Sequence, residues 1–302
     1  MQIGMVGLGR MGSKMARRLL RGGHEVVAFD VDPDAIALSV KDGAIGAASL
    51  QVLIEQLDPP RVVWVMVPAG SITQTTIDQL SAMMDPGDVL VDGGNSRYTE
   101  SVNRCGTLAE RGISFVDAGT SGGVWGLDNG YTLMIGADTD SFDLIEPALA
   151  TLAPKDGYAR VGPPGAGHFV KMVHNGVEYA LMQAYAEGFE LLRASGFSLD
   201  VAEIAQLWRH GSVVRSWLLD LAASALEKDP ELEKLTGWVE DSGEGRWTLE
   251  EGIRNSVPLP ALAAALFARF ASRESDAFSN RVLAALRQEF GGHPVRGTGD
   301  AA

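Results

Sequence analysis

The chain has 302 residues, 46% hydrophobic and 21% charged, a length and balance that suit two globular domains and exclude fibrous or disordered classes. Its 39 acidic against 25 basic residues leave a net charge of −14, which disfavours nucleic acid and anionic membranes as partners because an acidic surface repels phosphate. The single cysteine, Cys105, excludes an intrachain disulfide.

The first half alternates short apolar runs with amphipathic stretches. Strands are expected at residues 2–6, 25–29, 62–67, 89–91, 114–116 and 132–135, and a helix at 13–21. Near-continuous apolar strands separated by helices read as a parallel sheet covered on both faces, the α/β doubly wound pattern. Beyond Pro163-Pro164-Gly165 the character changes. No strand is expected from Gly167 onward, and helical periodicity runs through 180–194, 199–208, 258–272 and 276–290. The fold class is therefore a Rossmann-like doubly wound sheet over residues 1–163, followed by an all-α domain over 164–293. The acidic stretch 229–246 reads as an irregular connection, and 294–302 as a flexible tail. The N-terminus opens on a strand pattern rather than a leader. The most apolar later run, 261–268, is far short of the roughly 20 residues needed to span a bilayer. The expectation is a soluble, cytoplasmic protein.

Gly7-Leu8-Gly9-Arg10-Met11-Gly12 follows the first strand and opens a helix. In this context the first glycine serves the tight turn and the second the approach of a pyrophosphate. The third allows helix-on-strand packing, and the helix N-terminus faces the anion. Asp30 ends the second strand at the distance expected of the acid that binds a ribose 2′-hydroxyl. A carboxylate there accepts from a diol and repels a 2′-phosphate, so the cofactor is read as NAD, with NADP disfavoured. Arg10 is the one nearby cation that softens this preference. Val67, Pro68 and Asn95 lie where later strands end, at the carboxyl edge where open α/β sheets bind ligands.

Lys171, His174, Asn175 and Glu178 are spaced i, i+3, i+4 and i+7, which puts them on one face of a helix. No His, Cys, Asp or Glu cluster has metal-ligand spacing, so no metal is expected.

The run His168-Phe169-Val170-Lys171-Met172-Val173-His174-Asn175-Gly176-Val177-Glu178-Tyr179 resembles the helix signature of the 6-phosphogluconate dehydrogenase family. Four further segments agree in order: Gly7 to Gly12, Val91-Asp92-Gly93-Gly94-Asn95-Ser96, Gly119-Thr120-Ser121-Gly122-Gly123 and Gly245-Arg246-Trp247-Thr248. The resemblance implies oxidative decarboxylation of a phosphorylated sugar acid, 6-phosphogluconate, with hydride transfer to NAD. It implies Lys171 as the general base at the substrate 3-hydroxyl and Glu178 as the acid that protonates C1 of the enediol. It also implies Asn95, Ser121, Gly122, Gly123, His174 and Asn175 as substrate-orienting groups, and Tyr179 and Arg269 as phosphate ligands. Arg287 and His293, in the tail run Arg287-Gln288-Glu289-Phe290-Gly291-Gly292-His293, correspond to residues that reach a neighbouring subunit's phosphate site. A homodimer or homotetramer with shared active sites follows from that resemblance.

The chain departs from the family's longer members in three ways. It has one set of helices where they have two, and Asp30-Val31-Asp32 where they carry an Asn-Arg-Thr-like run. Ser242 and Glu244 stand where they place a Lys and a Thr on the phosphate. The competing assignment is a β-hydroxyacid dehydrogenase of the 3-hydroxyisobutyrate type, which shares the glycine turn and the lysine.

Overall fold

A computed structural model of the chain describes residues 1–291 and 294, so His293 and most of the expected tail lie outside the described residues. Eight strands form one sheet in the order β3-β2-β1-β4-β5-β6-β7-β8. They are β1 (Gln2–Val6), β2 (Glu25–Phe29), β3 (Ile45–Gly46), β4 (Val62–Val65), β5 (Val89–Asp92), β6 (Ser114–Ser121), β7 (Thr132–Gly136) and β8 (Tyr158–Gly162). The central strands are buried along their whole length, as Val62–Val65 and Val89–Asp92 show. Successive side chains alternate between two cores. Ile3, Met5, Trp64 and Val91 pack on one face, and Val6, Val63, Val65 and Leu90 on the other.

The expected doubly wound sheet is present, with two additions and one correction. Strands β3 and β8 carry no apolar run to announce them: the first is two residues long, and the second is an edge strand exposed over its middle. The correction is that β7 runs antiparallel to β6. Strand β6 changes partner midway. Residues Ser114 to Asp117 pair with β5 in parallel, and Asp117 to Ser121 pair with β7 in the opposite sense. Its second half, Asp117-Ala118-Gly119-Thr120-Ser121, lacks a strand's apolar pattern, which is why the sequence places its end at residue 116.

The sheet's helices are α1 (Gly12–Arg21), α2 (Pro33–Lys41), α3 (Leu50–Glu55), α4 (Ser71–Met83), α5 (Tyr98–Ala109), α6 (Gly126–Asn129) and α7 (Thr139–Leu152). After β8 comes α8 (Ala166–Arg193), one helix of 28 residues, then α9 (Val201–Trp208), α10 (Trp217–Lys228), α11 (Glu244–Arg254), α12 (Pro260–Ala271) and α13 (Phe278–Gly291). No strand follows β8 among the described residues. The irregular connection expected to reach residue 246 ends where α11 begins, at Glu244.

The chain divides into two compact units, Met1–Asn175 and Gly176–Ala302, with the division inside α8. The second unit holds two small cores. One gathers Tyr179, Leu262, Ala265 and Leu266, and the other Ala205, Ala223 and Leu226. No helix of the described residues is long and apolar enough to cross a membrane.

Candidate active site

The turn between β1 and α1 shows three different uses of glycine. Gly7 has φ +95°, and a Cβ there would sit 2.6 Å from the Met66 carbonyl oxygen. A Cβ at Gly12 would collide with the Gly7 carbonyl oxygen, so this helix start touches the turn directly. Gly9 instead faces open space, with nothing within 4 Å of its Cβ position. No side chain caps α1 at Met11; the Ser13 N–H goes to the Gly9 carbonyl oxygen at 3.1 Å, and the positive end of the helix is turned to an anion without a capping side chain. Asp30 is tied to this turn: its Oδ2 accepts the Leu8 N–H at 2.5 Å and its Oδ1 accepts the Asp32 N–H at 2.9 Å. Each carboxylate oxygen keeps a second lone pair for a ribose hydroxyl. A crowded first and third glycine, an open second and a pinned acid fit a dinucleotide. Arg10 stands exposed at the rim.

The loops after β4 and β5 meet beside this turn. A Cβ at Gly94 would lie 3.2 Å from the Val67 carbonyl oxygen, and Thr73 donates to the Pro68 carbonyl oxygen at 2.9 Å. The loop that carries Asn95 is held from below by a buried charge network. Asp92, fully buried, accepts the Ser96 hydroxyl at 2.7 Å, the Gly94 N–H at 3.1 Å and Nη1 of Arg104 at 2.9 Å. Arg104, itself 3% exposed, also reaches Ser96, Gln74 and Glu100.

Lys171 lies near the start of α8, where the helix crosses β6 at close range. A Cβ on Gly119 would be 2.6 Å from both the Gly167 carbonyl oxygen and the Lys171 Cβ. Lys171 Nζ donates to Asn175 Oδ1 at 2.7 Å. The same oxygen is 3.2 Å from His174 Nδ1, and His174 Nε2 is 3.4 Å from Ser121 Oγ. One polar chain therefore joins Lys171, Asn175, His174 and Ser121. Gly122 and Gly123, with φ of +136° and +53°, turn the backbone just beyond Ser121. Beneath, the carboxyl of Asp117 takes the Gly165 N–H at 2.5 Å and the His168 N–H at 2.7 Å. Its burial pushes that carboxyl above its ordinary range, against the pull of His168 and of these N–H donors. Ser101 Oγ lies 2.7 Å from His168 Nδ1.

In the second unit, Tyr179 is 5% exposed and its hydroxyl lies 3.1 Å from Ser242 Oγ. The Arg269 guanidinium stacks 3.5 Å over the Tyr179 ring and is steadied by the Glu240 carbonyl oxygen at 2.7 Å. Ser242 donates to Glu244 Oε2 at 2.6 Å, and Glu244 is only 3% exposed. Arg246 pairs with Asp241 and covers the Phe270 ring at 4.3 Å. Arg287 stands exposed on α13. Among the described residues no group of three or more His, Cys, Asp or Glu is placed to hold a metal ion.

Residues 2–162 match the profile of the NAD binding domain of 6-phosphogluconate dehydrogenase, and residues 167–292 that of the 6-phosphogluconate dehydrogenase C-terminal domain. The chain belongs to the 6-phosphogluconate dehydrogenase family. A Haloferax volcanii protein named 6-phosphogluconate dehydrogenase, NAD(+)-dependent, decarboxylating is 43% identical over 297 residues, 98% of this chain and 98% of its own. A Bacillus subtilis (strain 168) protein of the same name is 34% identical over 89% of this chain and 61% of its own. The solved 6-phosphogluconate dehydrogenase of Plasmodium falciparum shares the fold, with a TM-score of 0.84 at 24% identity over 99% of this chain and 67% of that one. Mycobacterium tuberculosis 3-hydroxyisobutyrate dehydrogenase shares it at a TM-score of 0.73 and 23% identity, over 95% and 99%.

The sequence-derived candidates of this family member thus fall into three groups. Gly7 to Gly12 cluster with Asp30, Ser121 joins His174, Asn175 and Lys171, and Tyr179 joins Arg269. Glu178 is half-buried on α8, seven residues after Lys171. Sequence reasoning overlooks Arg104, Asp117 and Ser101. The spacing Ser101, Arg104, Leu108 on α5 marks its buried face, and an arginine on such a face signals a buried acid partner.

Proposed function

We propose that the protein catalyses NAD-dependent oxidative decarboxylation of 6-phospho-D-gluconate to D-ribulose 5-phosphate and CO2. The observation that carries this reading is the setting of Lys171: pressed against Gly119, hydrogen-bonded to Asn175 and linked through His174 to Ser121. A base there has polar partners able to orient a polyhydroxy acid. The Haloferax relative's name and its identity along nearly the whole chain support the same reaction.

Gly7, Leu8, Gly9, Met11 and Gly12 would hold the pyrophosphate of NAD, Asp30 its adenosine ribose, and Val67, Pro68 and Asn95 its nicotinamide half. NAD held there would supply the acceptor for the hydride leaving substrate C3. Neutral Lys171 Nζ takes the proton of the 3-hydroxyl as C3 becomes a ketone. Ser121, Gly122, Gly123, His174, Asn175 and Asn95 orient the carboxylate and hydroxyls. The C1–C2 bond then breaks to release CO2; its electron pair forms the new carbon–carbon double bond, and the former ketone oxygen takes back the proton held by Lys171 to give the 1,2-enediol. Glu178 gives its proton to C1 of that enediol while Lys171 takes the 2-hydroxyl proton, leaving the ketone of ribulose 5-phosphate. Lys171 and Glu178 are separated by seven residues of one helix, about 10 Å along its axis, and act at different substrate atoms. Tyr179 and Arg269 face the terminal phosphate, with Arg287 and His293 supplied by a neighbouring subunit of a homodimer or homotetramer.

The deciding assay follows absorbance of the reduced nicotinamide with 6-phosphogluconate, offering NAD and NADP separately and trapping CO2. NAD reduction with matching CO2 release is expected, and Lys171→Ala should lose about 10²- to 10⁴-fold in kcat, the usual worth of a general base. A second reading, oxidation of an unphosphorylated 3-hydroxy acid, is favoured by Glu244, a buried carboxylate bonded to Ser242, the partner of Tyr179, where a phosphate ligand is expected. Turnover of 3-hydroxyisobutyrate without turnover of 6-phosphogluconate would establish it.

A further inference from the structure

A helix is ordinarily capped by the Ser, Thr, Asp or Asn just ahead of it. Helix α8 is preceded by Pro163-Pro164-Gly165, which offers no such side chain. Its first turn is capped from β6 instead, by the carboxylate of Asp117, which accepts the N–H groups of Gly165 and His168. A local cap at position 165 would reach the His168 N–H alone and leave the helix free to slide on the sheet. A cap borrowed from another element fixes the helix to that element. Asp117 is fully buried, and burying a carboxylate is costly unless donors surround it. Hydrophobic packing could have held a helix to a strand with less penalty, so the carboxylate's use lies in the position it defines.

That position concerns Lys171. The lysine is one turn beyond His168, and its Cβ lies on Gly119, two residues past Asp117 on the same strand. Gly167 is wedged among the Asp117 and Met134 carbonyl oxygens and the Gly136 nitrogen, so the crossing has no slack. Strand β6 then runs on to Ser121, at the other end of the polar chain from Lys171. His168, gripped by Asp117 through its N–H, is held from α5 by Ser101.

We propose that Asp117 is a positioning residue for Lys171, the buried link that sets α8 against β6 and so places the lysine relative to Ser121. This inference rests on the proposed role of Lys171 as the base at the oxidised carbon. A displacement near 1 Å at a reacting group costs about 100-fold in rate. Asp117→Asn keeps the shape and leaves one N–H without its acceptor.

The test compares wild type and Asp117→Asn with 6-phosphogluconate carrying hydrogen or deuterium at C3, together with the KM for NAD. The expected result is a fall in kcat of about 10- to 100-fold, a larger primary isotope effect as hydride transfer becomes limiting, and an unchanged KM for NAD. A purely structural role lowers the amount of folded enzyme but leaves the isotope effect of the folded fraction alone. That outcome overturns the proposal. If Asp117→Asn does not fold, Gly119→Ala presses on the same crossing from the strand side, and an isotope effect equal to the wild type's is equally fatal. Wild type inactive on 6-phosphogluconate counts against the proposed reaction only. The comparison then uses C3-deuterated 3-hydroxyisobutyrate, with the same outcomes deciding.

Discussion

Tyr179, Ser242 and Glu244 form a chain whose proton direction would govern the phosphate binding proposed for Tyr179. An ionised carboxylate only accepts, so Ser242 must spend its one proton on Glu244 Oε2 at 2.6 Å. Ser242 Oγ, 3.1 Å from the Tyr179 hydroxyl, is then left to accept from it. Tyr179 therefore points its proton away from a ligand while Glu244 is charged. Glu244→Gln supplies an amide donor to Ser242 and allows the chain to reverse, freeing the Tyr179 proton for a phosphate. A hydrogen bond to a charged group is worth about 1.5–3 kcal/mol, so the KM for 6-phosphogluconate should drop roughly tenfold. The inhibition constant of D-gluconate, which has no phosphate, should not move. Equal changes in both constants would refute the directional chain. Asp30 invites a companion experiment. Asp30→Ser removes the charge that opposes a 2′-phosphate, and the preference for NAD over NADP should fall by about tenfold or more, since like charges brought together cost several kcal/mol.

At the scale of elements, the Asn95 loop depends on α5. Arg104 and Asp92 form an ion pair in which both side chains are 2% exposed or less, and removing one member of such a pair strands the other charge, typically at about 3–5 kcal/mol. Arg104→Met should lower the melting temperature by roughly 10 °C and raise the KM for NAD through the loosened loop. Differential scanning calorimetry and steady-state kinetics read the two effects, and a stable variant with unaltered KM would remove Arg104 from the account. The network also shows where a sequence stops being legible. Buried central strands such as Val62–Val65 announce themselves by uninterrupted apolar residues, and the glycine turn by its spacing. The face of Lys171, His174 and Asn175 is likewise local to one helix. Asp92 and Asp117 are not readable in this way, because a charged residue's burial is decided by partners elsewhere in the chain: Ser96 and α5 for one acid, α8 for the other. Strand β6 is half legible for the same reason. Its polar second half is a strand because β7 pairs with it.

For the whole molecule, Asp117 gives stability an acid signature. Burial holds its carboxyl above the ordinary value of 3.8, so the folded chain binds this proton more tightly than the unfolded one. The group then favours folding at pH below about 4, and that contribution is lost as pH rises through the folded value. The stability of wild type relative to Asp117→Asn, measured by urea unfolding, should fall as pH is raised from 3.5 toward 7, and a flat difference would show that the carboxyl titrates normally. Assembly is the larger question at this scale. Helix α13 exposes Phe278, Val282, Leu283 and Leu286, spaced as one stripe of a helix, and a contiguous apolar stripe of this kind marks an interaction surface. The homo-oligomer proposed above would cover it with a second copy of the chain, and that copy would bring Arg287, the next residue along. If each phosphate site takes Arg287 from its neighbour, subunits with Lys171→Ala and subunits with Arg287→Ala are inactive in different sites. A hybrid of the two then contains one site with both groups intact. Co-expressed hybrids should oxidise 6-phosphogluconate well above the sum of the two parent variants, while sedimentation confirms an oligomer that Leu283→Glu weakens. Hybrids no better than their parents would mean that each subunit completes its own site, with the stripe on α13 serving assembly alone.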